Sequence, residues 1–143
     1  MFMNAFWRTY YHLVWATKER SRLITPDRES LLYPYIRGKV DEIGGMVQAI
    51  GGMQDHIHLV VSIPPMIAVT DFVKRIKGSS SHYLNHHPEG RGDWFMWQRG
   101  YGVFTLGSQQ CDRAIVYVLN QKQHHAAHKT IAMMEYFPEM DEP

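Results

Sequence analysis

The triplet His56-Ile57-His58 carries the side chains best suited to bind a cation in this sequence. It lies in an apolar run, residues 55–63, that predicts a strand ended by Pro64-Pro65. Because side chains alternate along a strand, His56 and His58 share one face and can converge on one divalent ion. The chain contains nine histidines, so chance pairs are common, and the triplet alone favours a pair of surface histidines on the polar face over a ligand pair.

A second polar group lies on a helix predicted over residues 110–125. At the helical rotation per residue, five polar side chains fall within about 60° of Tyr117: Arg113, Asn120, Gln121, His124 and His128. Ile115, Leu119 and Ala126 fall on the opposite side. The spacing therefore places Tyr117 off the apolar stripe, with the Gln121 amide one turn further on as a potential cation ligand. His124 or His128 could assist proton transfer. An ordinary half-exposed tyrosine fits the same pattern.

The remaining elements follow from turn signals and apolar spacing. Strands are predicted over 7–17, 46–50, 55–63 and 101–106, helices over 26–43, 68–84 and 110–125, and a loop over 85–93. Thr25-Pro26-Asp27 starts the first helix and Gly44-Gly45 ends it, and Thr70 or Asp71 is expected to cap the second. The order β-α-β-β-α-β-α predicts an α+β fold, with helices on a mainly antiparallel sheet of four to five strands.

Composition restricts the class of protein. The 143 residues suit one domain, and 45% hydrophobic with 20% charged residues is ordinary for a globular chain. A formal net charge of +1 means that any nucleic-acid contact must rest on local basic clusters. The single cysteine allows no intrachain disulfide, and neither a signal peptide nor a membrane span is expected. These features predict a cytoplasmic protein.

Three groups of residues are candidates for DNA contact. They are Lys18, Arg20 and Arg22 after the first strand; Lys74, Arg75, Lys77, Ser79 and Ser80 on the second helix; and Arg99 with Trp94, Trp97 and Tyr101 nearby. Basic side chains attract phosphate, hydroxyls donate to its oxygens, and aromatic rings stack on unpaired bases. Charge clusters are also common on solvated faces, and aromatic residues before a strand are common in cores.

Several separated blocks resemble one known family in the same order. They are YHLVWATKER (11–20), GGMQDHIHLVVSIPP (51–65), KRIKGSSSHYL (74–84), WQRGYGVFTLG (97–107) and YVLNQKQHH (117–125). Over roughly residues 7–125 the chain resembles the single-tyrosine HUH transposases of the insertion-sequence 200/605 group, which include relatives associated with repetitive extragenic palindromes.

The resemblance implies a ferredoxin-like or RRM-like HUH domain over 1–125 and a C-terminal tail over 126–143. It implies that Tyr117 is the nucleophile, and that His56, His58 and Gln121 hold Mg²⁺ or Mn²⁺. The implied activity is cleavage and rejoining of single-stranded DNA through a 5′-phosphotyrosine, at element ends that form hairpins. It also implies a homodimer with shared active sites, for which Gly107-Ser108 is a plausible hinge. The phosphotyrosine keeps the energy of the phosphodiester, which suits a chain without a GxxxxGK[ST] loop.

Three alternatives remain open from the sequence. The first is a non-catalytic descendant of the same fold that binds palindromic or hairpin nucleic acid. The second is a metal-dependent hydrolase that uses a bound water, although a third carboxylate or histidine ligand at useful spacing is not evident. The third is a rolling-circle replication nuclease, which would share the chemistry but matches the blocks less well.

Overall fold

The computed structural model describes residues 6–126 and forms one four-stranded sheet with helices on both faces. The elements are β1 (Tyr10–Ala16), α1 (Pro26–Ile43), β2 (Met46–Gly52), β3 (His56–Ser62), α2 (Val69–His86), β4 (Gly102–Leu106), α3 (Ser108–Leu119) and α4 (Gln121–Ala126). The strand order is β2-β3-β1-β4 and every neighbouring pair is antiparallel. The predicted α+β class is confirmed. His128 and all of the predicted tail except Ala126 lie outside the described residues.

The ends of α1 and α2 show which of the predicted capping residues cap a helix. Thr25 caps α1 by accepting a hydrogen bond from the Arg28 amide, and Gly44 ends the helix with φ of 93°. The predicted cap of α2 is wrong: the helix begins after Ala68, which has no capping side chain, so Thr70 and Asp71 lie inside its first turn. None of the described helices is long and apolar enough to cross a membrane.

The two faces of the sheet differ in what they bury. One face packs α1 and α2 over a large apolar cluster that includes Leu13, Trp15, Ile57 and Leu59. The other face packs α3 over a much smaller cluster: Ala49, Val60, Cys111, Ala114 and Val118. Alternation along β3 assigns Ile57 to the first face and the two histidines to the second. The histidines therefore lie under α3, while the opposite face contains most of the apolar core.

The predicted helix over 110–125 is divided at Asn120, whose φ and ψ are −105° and 24°. Both the backbone amide and the side-chain amide of Asn120 donate to the Val116 carbonyl, at 3.1 and 2.9 Å. Asparagine side chains compete with helical hydrogen bonds in this way. The result is a break between Tyr117 on α3 and Gln121 on α4.

The predicted orientation of α3 is wrong. Tyr117 is only 4% exposed and lies on the buried face with Ala114 and Val118, whereas Leu119 is 59% exposed. The prediction assumed that the apolar stripe faces the protein, as it does for most surface helices. Here the sheet surface under the helix carries histidines, so a tyrosine and a glutamine are buried against it.

Gly51 allows α3 to lie this close to the sheet. A Cβ atom at position 51 would lie 2.2 Å from the Val118 carbonyl oxygen, closer than atoms can approach without a shift of the backbone. Gly51 is also the register partner of His58. The close approach therefore occurs beside the histidines and fixes the height of the tyrosine helix above them.

We expect Gly51→Ala to lower the free energy of unfolding by about 1–3 kcal/mol, the usual range for overpacking. It should also displace α3 from the histidine face. Gly38→Ala is the matched control, since a Cβ there meets nothing within 4 Å. In a helix interior that change should stabilise the fold by up to about 1 kcal/mol. Urea unfolding measures both variants, and equal stability of Gly51→Ala and the parent chain would contradict the close contact.

Candidate active site

The two histidines of β3 are core residues. His56 is 1% exposed and His58 is 0% exposed, and their ring centroids lie 5.1 Å apart. The alternative of a surface histidine pair is therefore wrong. Buried imidazoles need hydrogen-bond partners, and both rings have them on the α3 side of the sheet.

His56 is held by a carboxylate on one side and an amide on the other. Its Nδ1 lies 2.7 Å from Oδ1 of Asp55, and its Nε2 lies 3.3 Å from Oε1 of Gln121. Burial alone would raise the pKa of Asp55, but the hydrogen bond to His56 and the Arg20 guanidinium, 3.4 Å away, bring it below its ordinary value. The carboxylate thus stays ionised and orients Nε2 of His56 toward Gln121.

Gln121 joins several side chains at the start of α4. It is 1% exposed, and its Oε1 also lies 3.0 Å from Nε2 of His125. Its amide nitrogen donates to the Tyr117 carbonyl at 3.5 Å. The predicted grouping of His56 with Gln121 is therefore present in the structure. His125 is an additional neighbour, which the sequence analysis did not select.

Tyr117 lies against both a strand histidine and a helix histidine. Its ring centroid is 6.0 Å from that of His58, edge to face, and 4.8 Å from that of His124, nearly parallel. A surface cavity of about 390 Å³ opens beside the tyrosine, lined by Asp112, Arg113, Val116, Tyr117 and His124. The tyrosine is therefore buried by its neighbours but borders a space that a ligand can enter.

His12 is a further site residue that sequence reasoning missed. It is 1% exposed, and its Nε2 lies 2.8 Å from Nδ1 of His58. The two rings are adjacent because Val14 is the register partner of His58 and His12 lies two residues earlier, on the same face of β1. Alternation along β1 was the available signal, but it identifies a face only when the register between β1 and β3 is known.

The donor set suits a cation bound by two imidazoles and one amide oxygen. Among residues 6–126, no group of three or more His, Cys, Asp or Glu side chains is arranged to hold a metal ion. The predicted set of His56, His58 and Gln121 requires no such group, because its third donor is an amide. Asp55, which hydrogen-bonds the far side of His56, has the position of a residue that orients a ligand.

Of the basic residues after β1, Arg20 has a contact with this site. Lys18 and Arg20 form a short 3-10 turn, and Lys18 is half-buried while Arg20 and Arg22 are exposed. Arg20 pairs with Asp55 and so is connected to His56. Arg20 therefore links this part of the predicted DNA surface to the histidines.

The predicted contacts on α2 differ among themselves. Lys74 is exposed and Ser79 is half-buried, with its hydroxyl donating to the Arg75 carbonyl at 2.7 Å. Ser80 is 0% exposed and accepts a hydrogen bond from the Trp97 indole at 3.0 Å. The structure therefore does not support Ser80 as a phosphate contact, because its hydroxyl is enclosed in the core.

The predicted DNA contacts in the segment before β4 also include both buried and exposed side chains. Trp97 is 8% exposed and packs edge-to-face on Trp15, so it is a core residue and cannot stack on a base. Trp94 is 65% exposed and Arg99 is exposed. Both line a groove of about 450 Å³ between α2 and residues 94–99. Tyr101 is half-buried, with its hydroxyl 3.3 Å from that of Thr70.

Lys77, on α2, is hydrogen-bonded to the segment before β4. Its ammonium donates to the carbonyls of Gln98 and Gly100 at 2.5 and 3.1 Å. Burial lowers the pKa of Lys77 to about 8. The predicted phosphate contact is thus replaced by a structural role, since the donors of Lys77 are used within the protein.

The fold is that of small transposases, as two solved structures show. A protein from Deinococcus radiodurans R1 that is assigned as a transposase matches with a TM-score of 0.63 and 24% identity, over 92% of this chain and 98% of its own. A REP-associated tyrosine transposase bound to a REP hairpin matches with a TM-score of 0.62 and 13% identity, over 90% of this chain and 76% of its own.

Sequence comparison defines the family. The ISDra2 transposase TnpA of Deinococcus radiodurans is 28% identical over 118 residues, which is 80% of this chain and 83% of that protein. The transposase for insertion sequence element IS200 of Salmonella typhimurium is 30% identical over 108 residues, which is 71% of this chain and 69% of that protein. The model of IS200-like transposases matches residues 5–121. The chain belongs to the IS200-like transposase family, and this membership implies DNA cleavage and strand transfer.

The depressed pKa of Lys77 predicts a pH dependence of stability. Between about pH 8 and its ordinary value of 10.5 the unfolded chain binds this proton more than the folded chain does. The contribution of Lys77 to the free energy of unfolding should therefore rise with pH across that window and be flat below it. Lys77→Met should remove the rise, whereas Lys74→Met, at an exposed lysine, should keep it. Urea unfolding at about pH 8 and pH 10 measures the slopes, and parallel slopes for the parent and Lys77→Met would refute the assignment.

Proposed function

We propose that this transposase cuts and rejoins single-stranded DNA through a covalent 5′-phosphotyrosine formed on Tyr117. The observation that supports it most is the convergence of Tyr117, His58, His56 and Gln121 on one buried face of the sheet. The cavity beside Tyr117, formed by side chains of α3 and α4, gives a substrate access to the phenol.

The chemical step uses the phenol oxygen of Tyr117 as nucleophile. It attacks the phosphorus, the bond from tyrosine oxygen to phosphorus forms, and the bond from phosphorus to the 3′-oxygen breaks. That oxygen takes up a proton and leaves as a 3′-hydroxyl. Rejoining reverses the exchange with a new 3′-hydroxyl, so no nucleotide triphosphate is needed. The phenol proton needs an acceptor, and His124, whose ring is 4.8 Å away, is the candidate.

His56, His58 and Gln121 would hold one divalent ion, Mg²⁺ or Mn²⁺. When bound, such an ion neutralises charge that develops on the scissile phosphate. Two neutral imidazoles and one amide would bring no negative charge to the ion, which leaves its positive charge available to the DNA. Asp55 contributes orientation through Nδ1 of His56.

The DNA strand would reach Tyr117 through the cavity beside it. Arg113 is exposed on the rim of that cavity and supplies a positive charge for the backbone. Arg20, which pairs with Asp55, and its neighbours Lys18 and Arg22 along the chain would extend the positive surface. The groove with Trp94 and Arg99 offers an exposed ring and a cation for an unpaired base. We also propose a hairpin as the bound element, because the REP-associated structural relative is bound to one.

Incubation with single strands from the element ends and Mn²⁺ should yield a protein–DNA adduct that survives denaturation. Tyr117→Phe removes the nucleophilic oxygen and should abolish the adduct, with residual cleavage reduced by at least about 10³-fold, the order expected for loss of a nucleophile. Tyr35→Phe is the matched control, because Tyr35 stacks on Tyr83 and lies on α1, across the sheet from the site. Gel mobility and mass spectrometry identify the linked residue.

The same experiment separates this function from a non-catalytic hairpin binder. A binder would retain hairpin affinity in the parent chain and in Tyr117→Phe alike, and neither would give an adduct. An adduct on another residue would remove Tyr117 from the mechanism. Cleavage without any adduct would favour hydrolysis by water.

We further propose a homodimer in which α3 and α4 exchange between subunits, as the resemblance implies. Within one chain, Tyr117 already contacts its own His58. The apolar packing of α3 is small, however, and an identical cluster can form with the sheet of a second copy at little cost. Gly107, just ahead of α3, is exposed and is the point where the helix would swing.

Co-expression of Tyr117→Phe with His58→Ala tests the exchange. If the helices are exchanged, mixed dimers contain one site with both an intact tyrosine and intact histidines, and about half of the dimers should regain that site by random pairing. Cleavage by the mixture should exceed that of either variant alone. Unrecovered cleavage, with mixed dimers shown by two affinity tags, would assign each site to a single chain.

A further inference from the structure

His12 lies beneath the proposed cation site and touches one of its ligands. Its Nε2 is 2.8 Å from Nδ1 of His58, and the two ring centroids are 5.0 Å apart. Both side chains are at most 1% exposed. A contact of this length between two ring nitrogens is a hydrogen bond, so one ring donates and the other accepts.

The direction of this hydrogen bond decides whether His58 can bind a cation. A neutral imidazole carries one proton, and a nitrogen binds a cation only when it is unprotonated. If Nδ1 of His58 donates to His12, Nε2 of His58 is left with its lone pair. If His12 donates instead, the proton of neutral His58 is on Nε2 and blocks binding there.

We propose that His12 is a positioning residue of the cation site, which accepts the Nδ1 proton of His58 and thereby keeps Nε2 of His58 ready for the ion. This inference rests on the proposed function, since it assigns His58 as a ligand. The proton of His12 is then on its own Nδ1. The Phe104 ring, 5.9 Å from that of His12, packs against it and limits its rotation.

The two histidine ligands therefore have different partners. His56 donates to a carboxylate, Asp55, whereas His58 donates to a second imidazole. An uncharged acceptor suits His58 because this ring is fully buried and next to Tyr117. A carboxylate at position 12 would be a second negative charge buried near the phosphate that the site must admit.

The tautomer of His58 can be measured directly in the metal-free protein. Long-range ¹H–¹⁵N correlation spectra of histidine-labelled protein distinguish a protonated ring nitrogen from an unprotonated one. We expect His58 in the parent chain to carry its proton on Nδ1. His12→Phe keeps a ring of similar size without an acceptor and should convert His58 to a mixture of tautomers. His12→Gln places an amide oxygen near the position of Nε2 and should restore the single tautomer.

Cation affinity supplies a second readout. Loss of a residue that orients a metal ligand weakens binding by about 10–100-fold. We expect that loss of Mn²⁺ affinity in His12→Phe, with recovery in His12→Gln, by electron paramagnetic resonance titration without DNA. Circular dichroism verifies folding, and the signals of His82 and His86, which stack on each other on α2, serve as internal controls that should not move.

Each outcome supports or overturns the inference. A proton on Nε2 of His58 in the parent chain overturns it, even if His12→Phe does not fold. Unchanged Mn²⁺ affinity in a folded His12→Phe also overturns it, while the proposed function stands. A parent chain that binds no Mn²⁺ but still forms the Tyr117 adduct removes the cation site together with the role of His12. The predicted tautomer with parallel loss and rescue of Mn²⁺ binding supports it.

Discussion

The contact between the backbone of β2 at Gly51 and the Val118 carbonyl of α3 is the constraint on which the site depends. Tyr117 precedes Val118 directly and Gln121 follows three residues later, so their distance from the sheet is set by this contact. His58 is the register partner of Gly51. A side chain at position 51 would separate the helix from the sheet and move the tyrosine and the glutamine away from both histidines together.

The sequence was sufficient for features that depend on local geometry. Alternation along a strand placed His56 and His58 on one face, and the cap at Thr25 and the glycine at position 44 gave both ends of α1. It failed for the orientation of α3, because an apolar stripe predicts the buried face only when the opposing surface is also apolar. The surface under α3 carries histidines, and no local pattern in residues 108–119 reports that.

His12 shows a different limit of sequence reasoning. Its place beside His58 depends on the register of two strands whose contacting residues lie 46 positions apart. Ser80 and Lys77 show the same limit for residues that the sequence did select. Both have the residue types of phosphate contacts. Ser80, however, is buried and accepts a hydrogen bond from Trp97, and Lys77 donates hydrogen bonds to the carbonyls of Gln98 and Gly100. Residue type predicts what a side chain can bind, and long-range packing decides which partner it meets.

The two faces of the sheet differ in composition, and this difference explains how buried polar groups are tolerated. The large apolar cluster lies on the side of α1 and α2, so stability does not require an apolar surface under α3. On the α3 side, Arg20, Asp55, His56 and Gln121 form a continuous series of polar contacts, which offsets the cost of burying His56 and Gln121. The only carboxylate in that series of contacts, Asp55, lies on the opposite side of the His56 ring from Gln121. The cavity beside Tyr117 is lined by one exposed carboxylate, Asp112, and one exposed guanidinium, Arg113. A DNA backbone that enters it would therefore be repelled by Asp112 and attracted by Arg113, and Arg113 makes the approach to the phenol electrostatically tolerable.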